Sequence, residues 1–107
     1  MTDKELLELA AKAAGYGFEW FGPHFHITVD DRRFTFWNPL TDDGDALRLA
    51  VKLKIQITPE TYQDYEVTAY RGGFCEATEK ATMGYSIEEA TRRAIVRAAA
   101  EIGKAST

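Results

Sequence analysis

The sequence predicts an α+β domain in the order α-β-β-β-α-β-β-β-α, and three observations carry that reading. Amphipathic stretches with capping signals occur near both ends and in the middle, short aromatic alternating segments lie between them, and turn residues stand where each hairpin must reverse. With 107 residues, 45% of them hydrophobic and 12% aromatic, the chain has material for one core and too little for a second. A single domain over residues 1–107 with a mainly antiparallel sheet is expected.

The first helix starts at Thr2, placed to cap the amide of Glu5 while Glu5 reaches back, with Met1 positioned to pack on Leu6. Leu6, Leu7, Leu9, Ala10, Ala13 and Ala14 share a broad apolar face opposed by Lys4, Glu8 and Lys12, and Gly15 ends the helix. Strands follow at about 18–21, 25–29 and 33–37, reversed by Gly22-Pro23 and by Asp30-Asp31-Arg32, which makes an antiparallel meander. On the middle strand Phe25, Ile27 and Val29 share one face and His26 and Thr28 the other, while Phe34 and Phe36 share a face of the next, opposite Thr35.

Asn38-Pro39 stops that strand, and a second helix begins near Asp42 with acidic residues in its first turn, where the helix dipole favours them. Only Asp45, Arg48 and Lys52 form a solvated stripe on it; Ala46, Leu47, Leu49, Ala50, Val51 and Leu53 cover the rest of the circumference. Such a helix requires neighbours on more than one side, either the sheet and another helix or the sheet and a second subunit, so a homo-oligomer stays open. A strand over 54–58, a loop from Pro59 and a hairpin of strands near 65–70 and 74–78 around Arg71-Gly72-Gly73 come next. The last helix opens on Ser86-Ile87-Glu88-Glu89, a capping box preceded by Tyr85, and is expected to run to Ile102 and stop at Gly103. Ile87, Ala90, Ala94, Ala98 and Ile102 line its core face, the alanines of the first and last helices suit close packing, and Lys104 to Thr107 should fray.

A formal net charge of −4 argues against general affinity for phosphate backbones, which depends on an excess of Lys and Arg. Cys75 is the only thiol, which excludes an intrachain disulfide and a cysteine-based zinc cluster, and a buried free thiol is expected. The charged opening Met1-Thr2-Asp3-Lys4-Glu5 lacks the layout of a secretory leader, and no apolar run approaches the roughly 20 residues that span a bilayer. A cytoplasmic location without membrane contact is therefore expected.

Three stretches carry a resemblance: MTDKELLELAAKAAG over 1–15, FWNPLTDDGDALRLAVKLKI over 36–55, and ATRRAIVRAAAEIGK over 90–104. Together they resemble the phage α-β-α sandwich family, short proteins of bacteriophages and prophages, over about half the chain. The resemblance implies an α-β-α sandwich layering and a phage-encoded protein in a bacterial host cell, and it implies no enzyme class, cofactor or catalytic residue.

The most chemical stretch is His24-Phe25-His26, because histidines two apart on a strand face one way and, with carboxylates such as Glu19 or Asp30, are placed to share a metal. His26-Ile27-Thr28 also resembles half of the motif pair of the two-histidine phosphoesterases, but their mechanism needs a second copy on a separate strand, and none is present. Asp42-Asp43-Gly44-Asp45 lacks the alternating ligands and the distal Glu of a calcium loop. Neither Ser86 nor Cys75 sits in a catalytic elbow, and Gly72-Gly73 lacks the Lys of a phosphate loop. On the last helix Arg92, Arg93 and Arg97 do not form one stripe, and Glu88, Glu89 and Glu101 stand at pairing distance from them, which makes a solvated, ion-paired face the expectation.

The sequence therefore points to a non-enzymatic module that binds a macromolecule, with no cofactor and no metal. A small hydrolase using His24 and His26, and a nucleic-acid binder using the arginines of the last helix, are the alternatives. The interaction residues expected are His24, His26, Trp37, Tyr70 and Arg71, polar and aromatic types on the sheet and its turns that capping and core packing leave unexplained. The apolar circumference of the second helix yields a direct test. Leu49→Ala should open a cavity and cost about 2–5 kcal/mol in chemical denaturation, whereas a loss under about 0.5 kcal/mol would make the helix peripheral.

Overall fold

The computed structural model describes residues 2–34, 36–59, 66–71, 74–80 and 86–105, without the side chains of 33, 34, 58, 59, 66–68, 70, 71 and 74–80. Its first helix, α1 (Asp3–Ala13), begins as the sequence dictates: Thr2 Oγ1 accepts from the Glu5 amide at 3.2 Å. The Glu5 carboxylate returns to the Thr2 hydroxyl at 3.2 Å rather than to its amide; Met1 lies outside the described residues. At the other end the Gly15 amide donates to the Lys12 carbonyl and the Tyr16 amide to that of Ala11, at 3.0 and 2.9 Å. This paired closure requires a left-handed residue, and Gly15 supplies it with φ of 78°.

Next come β1 (Gly17–Phe21), β2 (His24–Val29) and the short β3 (Arg32–Phe34), an antiparallel sheet in the order β1-β2-β3. Gly22 turns the first hairpin with φ of 62°. Asp30 and Asp31 turn the second with φ of 49° and 64°, the double left-handed turn whose twist matches that of the strands. The third strand was expected to reach Trp37 but ends at Phe34. Phe36 adopts φ of 60°, which breaks the alternation and takes it off the face expected for it, while the Trp37 amide still donates to the Phe25 carbonyl at 3.0 Å.

A second antiparallel sheet, ordered β4-β5-β6, contains β4 (Gln56–Pro59), β5 (Glu66–Arg71) and β6 (Phe74–Lys80). Pro59 closes β4 opposite Val67 instead of opening a loop, and the β5–β6 pairing shifts register between Ala69 and Tyr70. Gly72, Gly73 and Tyr85 lie outside the described residues, as does the Cys75 side chain. The α+β class and the element order are those the sequence predicts, with the described strands divided between two sheets.

Helix α2 (Asp43–Leu53) is capped by Asp42, which accepts from the Asp45 amide at 2.8 Å, and is closed by Lys54 with φ of 57°. Helix α3 (Ile87–Ala105) starts with the Glu89 amide donating to Ser86 Oγ at 3.1 Å. It occupies the centre of the molecule, packing on α1, α2, β5 and β6, and it buries Ala90, Ala94, Ile95, Val96, Ala98, Ala99 and Ala100. The helix enclosed on several sides is thus α3. On α2, Leu49 is 1% exposed, whereas Leu47 and Val51 are 61% and 69% exposed and Asp45, expected in its solvated stripe, is buried. The helix wheel identifies the apolar surface correctly but cannot say which part of it finds a neighbour.

Gly103 does not stop α3, which continues through it to Ala105. It is buried against α1 instead: a Cβ there would overlap the Leu9 carbonyl oxygen and stand 3.0 Å from its carbon and 3.4 Å from the Ala13 nitrogen. Arg93 pairs with Asp3 at 3.1 Å, and Gly103 further along α3 meets Leu9 and Ala13 further along α1, so α1 and α3 run parallel. No helix among the described residues is long and apolar enough to cross a membrane.

This contact inverts the usual effect of replacing a helical glycine. At an open position Gly→Ala favours a helix by about 1 kcal/mol. At Gly103 the new methyl must push α1 and α3 apart, and overpacking of that kind costs about 1–3 kcal/mol. Gly103→Ala is therefore expected to lower stability in urea unfolding, and a gain would show that the two backbones do not meet as described.

Candidate functional site

A hollow of about 740 Å³ lies between the first turn of α1, the β1–β2 hairpin and the segment 36–45 that leads into α2. Its walls are aromatic: Trp20, Phe25, Phe36 and Trp37, with His24 at the hairpin edge. Strand alternation places Trp20 beside Phe25, their rings 4.7 Å apart edge to face, and Phe18 stacks on the same Phe25 at 5.3 Å. Trp20 is held from α1 as well. Its indole N–H donates to Glu8 Oε2 at 2.9 Å, and Lys4 Nζ lies 5.0 Å from the ring centroid, within range of a cation–π attraction.

The rear wall depends on one carboxylate. Asp45 is 9% exposed; its Oδ2 accepts from the Asn38 amide at 3.0 Å and its Oδ1 from Arg48 Nη2 at 2.7 Å. Asn38 Oδ1 accepts from the Leu40 amide at 3.0 Å, forming a side-chain turn that folds the segment back over the start of α2. Arg92 of α3 completes the clamp by donating to the Leu40 carbonyl at 2.9 Å and to Asp43 Oδ1 at 2.6 Å. Trp37 is therefore pinned between Asn38 and β2, with its ring 5.8 Å from both Phe25 and Tyr16.

Behind Trp37 a smaller hollow of about 440 Å³ is lined by Tyr16, Ile27, Val29 and Arg48, and Asp45 borders both hollows. Burial raises the Tyr16 hydroxyl above its ordinary 10.0, Arg48 opposing and Asp45 reinforcing the shift. Tyr16 thus stays neutral and protonated at neutral pH. Lys52 Nζ, 5.3 Å from its ring centroid, covers it from α2.

The expected interaction residues divide. His24 is exposed at the cleft edge and His26 is half-buried on the same face of β2. Trp37 is a core residue, 6% exposed, so it shapes the cleft as a wall rather than as a projecting contact. Tyr70 and Arg71 belong to β5 in the other sheet, and their side chains lie outside the described ones. The histidines meet phenyl rings: Phe21 is 4.5 Å from His26, and Phe36 is 4.9 Å from His24 and 6.0 Å from His26. His26 Nδ1 is buried without a hydrogen-bond partner among the described residues.

Glu19 stands opposite His26 in the β1–β2 register and Asp30 lies in the next turn, but no three His, Cys, Asp or Glu side chains among the described residues gather closely enough to hold a metal. Both histidines are on β2, whereas acid–base work by a histidine pair requires them on separate strands facing one scissile bond. The arginines of α3 are also placed differently from expectation. Arg92 and Arg93 reach Asp43 of α2 and Asp3 of α1, so they join elements rather than form a solvated face.

Trp20, Phe36 and Asp45 were missed in the sequence. Their one legible signal is the density of aromatic residues at 18–37, ahead of a capped segment containing Asn and Asp. The site so defined is an aromatic recess with a polar rim in a small α+β protein. Compared with protein-family models, curated proteins and solved structures, the chain matches none.

The dependence of this recess on Asp45 is measurable. Asp45→Ala would leave the half-buried Asn38 amide unpaired and release Arg48, which should cost about 1–3 kcal/mol. Asp45→Asn keeps an acceptor for Asn38 and should cost less than half as much, in denaturant titrations of both variants; equal losses would mean that the charge, not the bond to Asn38, is what the fold requires.

Proposed function

We propose that this is a non-enzymatic binding module, a phage-encoded accessory protein that holds a host or defence protein through the aromatic cleft and the adjoining face of β1 and β2. One observation carries the reading: Phe36, 66% exposed, stands at the cleft lip on a left-handed backbone of φ 60°. A bulky residue in that region costs about 1 kcal/mol or more, and its edge contacts with His24 and His26 leave most of the ring in water. Such a residue contributes when a partner covers it.

The surroundings suit a protein surface. Phe21, Phe36, His24 and His26 offer ring faces, while Lys4, Asp3, Asn38 and Asp42 provide charged and amide groups at the rim. Aromatic anchors within a polar border are the usual composition of a binding hot spot. The cleft carboxylates Asp45 and Asp42 have structural duties, since Asp45 is bonded to Asn38 and Arg48 and Asp42 caps α2. A net charge of −4 and the internal engagement of Arg92 and Arg93 favour a protein over nucleic acid. The resemblance of the helical segments to phage sandwich proteins supports the origin.

Phe36→Gly separates function from stability. Glycine relieves the left-handed backbone, so stability should remain within about 1 kcal/mol of the parent. Loss of an anchor ring should weaken a partner recovered from host lysate by tenfold or more, measured by titration calorimetry with the purified partner. Undiminished affinity of Phe36→Gly and His24→Ala, with loss confined to Arg97→Ala on α3, would overturn the cleft as the binding surface.

A further inference from the structure

A second surface stands apart from the cleft. Leu47 and Val51 lie one helical turn apart on α2 and are the most exposed aliphatic side chains of the described core elements, at 61% and 69%. Leu47 also forms the lip of a shallow groove of about 270 Å³ whose floor is Ala46, Ile57, Ile87 and Ile95. The stripe is bounded by an acid at the N-terminal end, Asp43, and by a base just past the C-terminal end, Lys54.

We propose that this stripe is the contact between two copies of the chain, with their α2 helices antiparallel about a two-fold axis passing near the level of Leu49. In that arrangement Leu47 faces Val51 of the second copy and Asp43 faces its Lys54, each contact occurring twice. An acid at one end and a base at the other make a pattern that complements itself only when reversed. Parallel pairing would set Asp43 against Asp43 and Lys54 against Lys54, with like charges opposed and the helix dipoles aligned. Arg92 occupies Asp43 Oδ1, which leaves the second carboxylate oxygen for the lysine, and the Asp43 side chain is 77% exposed.

The contact is small. A helix of 11 residues is about 16 Å long, and one such pairing buries less than the roughly 1,200 Å² of a standard stable interface. A weak, reversible dimer follows. This inference does not rest on the cleft, which faces α1 and the first sheet, and the two can fail separately.

Sedimentation equilibrium of the full chain from about 1 μM to 1 mM tests it. The expected result is a monomer–dimer equilibrium that Val51→Glu weakens at least tenfold while the thermal melt by circular dichroism stays that of the parent. Lys54→Glu, which would oppose Asp43 of the second copy, should weaken the dimer, whereas Lys54→Arg, which keeps the charge, should leave it within about twofold of the parent. A chain that remains monomeric throughout, a dimer indifferent to Val51→Glu, or a Lys54→Glu variant no weaker than Lys54→Arg would overturn the proposal, the second outcome placing self-association on another face.

Discussion

The place where α3 touches α1 at Gly103 governs the rest of the molecule. Because no side chain intervenes there, the helices approach until the Leu9 carbonyl meets the glycine, and the alanines of α3 can then be buried along most of its length. Small side chains bury little area each, so the helices gain by closeness what they lack in bulk. The larger residues Ile95 and Val96 are buried in the same core. Parallel helices have unfavourably aligned dipoles, and the Asp3–Arg93 pair at their N-terminal ends adds a local attraction across the seam.

The cleft inherits its shape from this seam at one remove. α1 carries Lys4 and Glu8 to the indole of Trp20, and α3 carries Arg92 to the Leu40 carbonyl, so the two helices fix opposite sides of one recess. Asp45 then joins the sides by bonding Asn38 from below. The polar groups here are therefore spent on holding backbone in place. Their partners lie at ordinary hydrogen-bond distances, in partly buried surroundings where a lost partner is felt. That economy explains why so polar a rim presents aromatic rings, rather than reactive side chains, to whatever enters.

Features set by neighbours in sequence were legible: the Thr2 and Ser86 caps, the closure at Gly15, the turns at Gly22 and Asp30-Asp31, and the inward face of Phe25 and Ile27. Features set by a distant partner were not. Gly103 reads as a helix stop because the local rule knows nothing of Leu9, some ninety positions earlier, and Asp45 reads as solvated because its wheel position omits the Asn38 amide. Leu47 and Leu49 look alike in composition, and only the position of α3 separates an exposed residue from a buried one. Of the site, His24 and Trp37 were legible as unexplained aromatic and polar residues, whereas Phe36 was not, since its left-handed backbone interrupts the alternation used to read the strand.

The distance along the chain between α1 and α3 has a kinetic consequence. The two helices that make the most extensive seam are separated by both sheets, so on a growing chain α1 emerges long before the surface it requires. The hairpins can close early, through contacts a few residues apart and on a microsecond scale, but the centre cannot form until α3 has been synthesised. Completion waits on closure of a loop that spans most of the described chain, a high-contact-order step in a protein rich in helix. Until then the apolar faces of α1 and α2 are exposed together, and this is the interval in which aggregation or capture by a chaperone competes with folding.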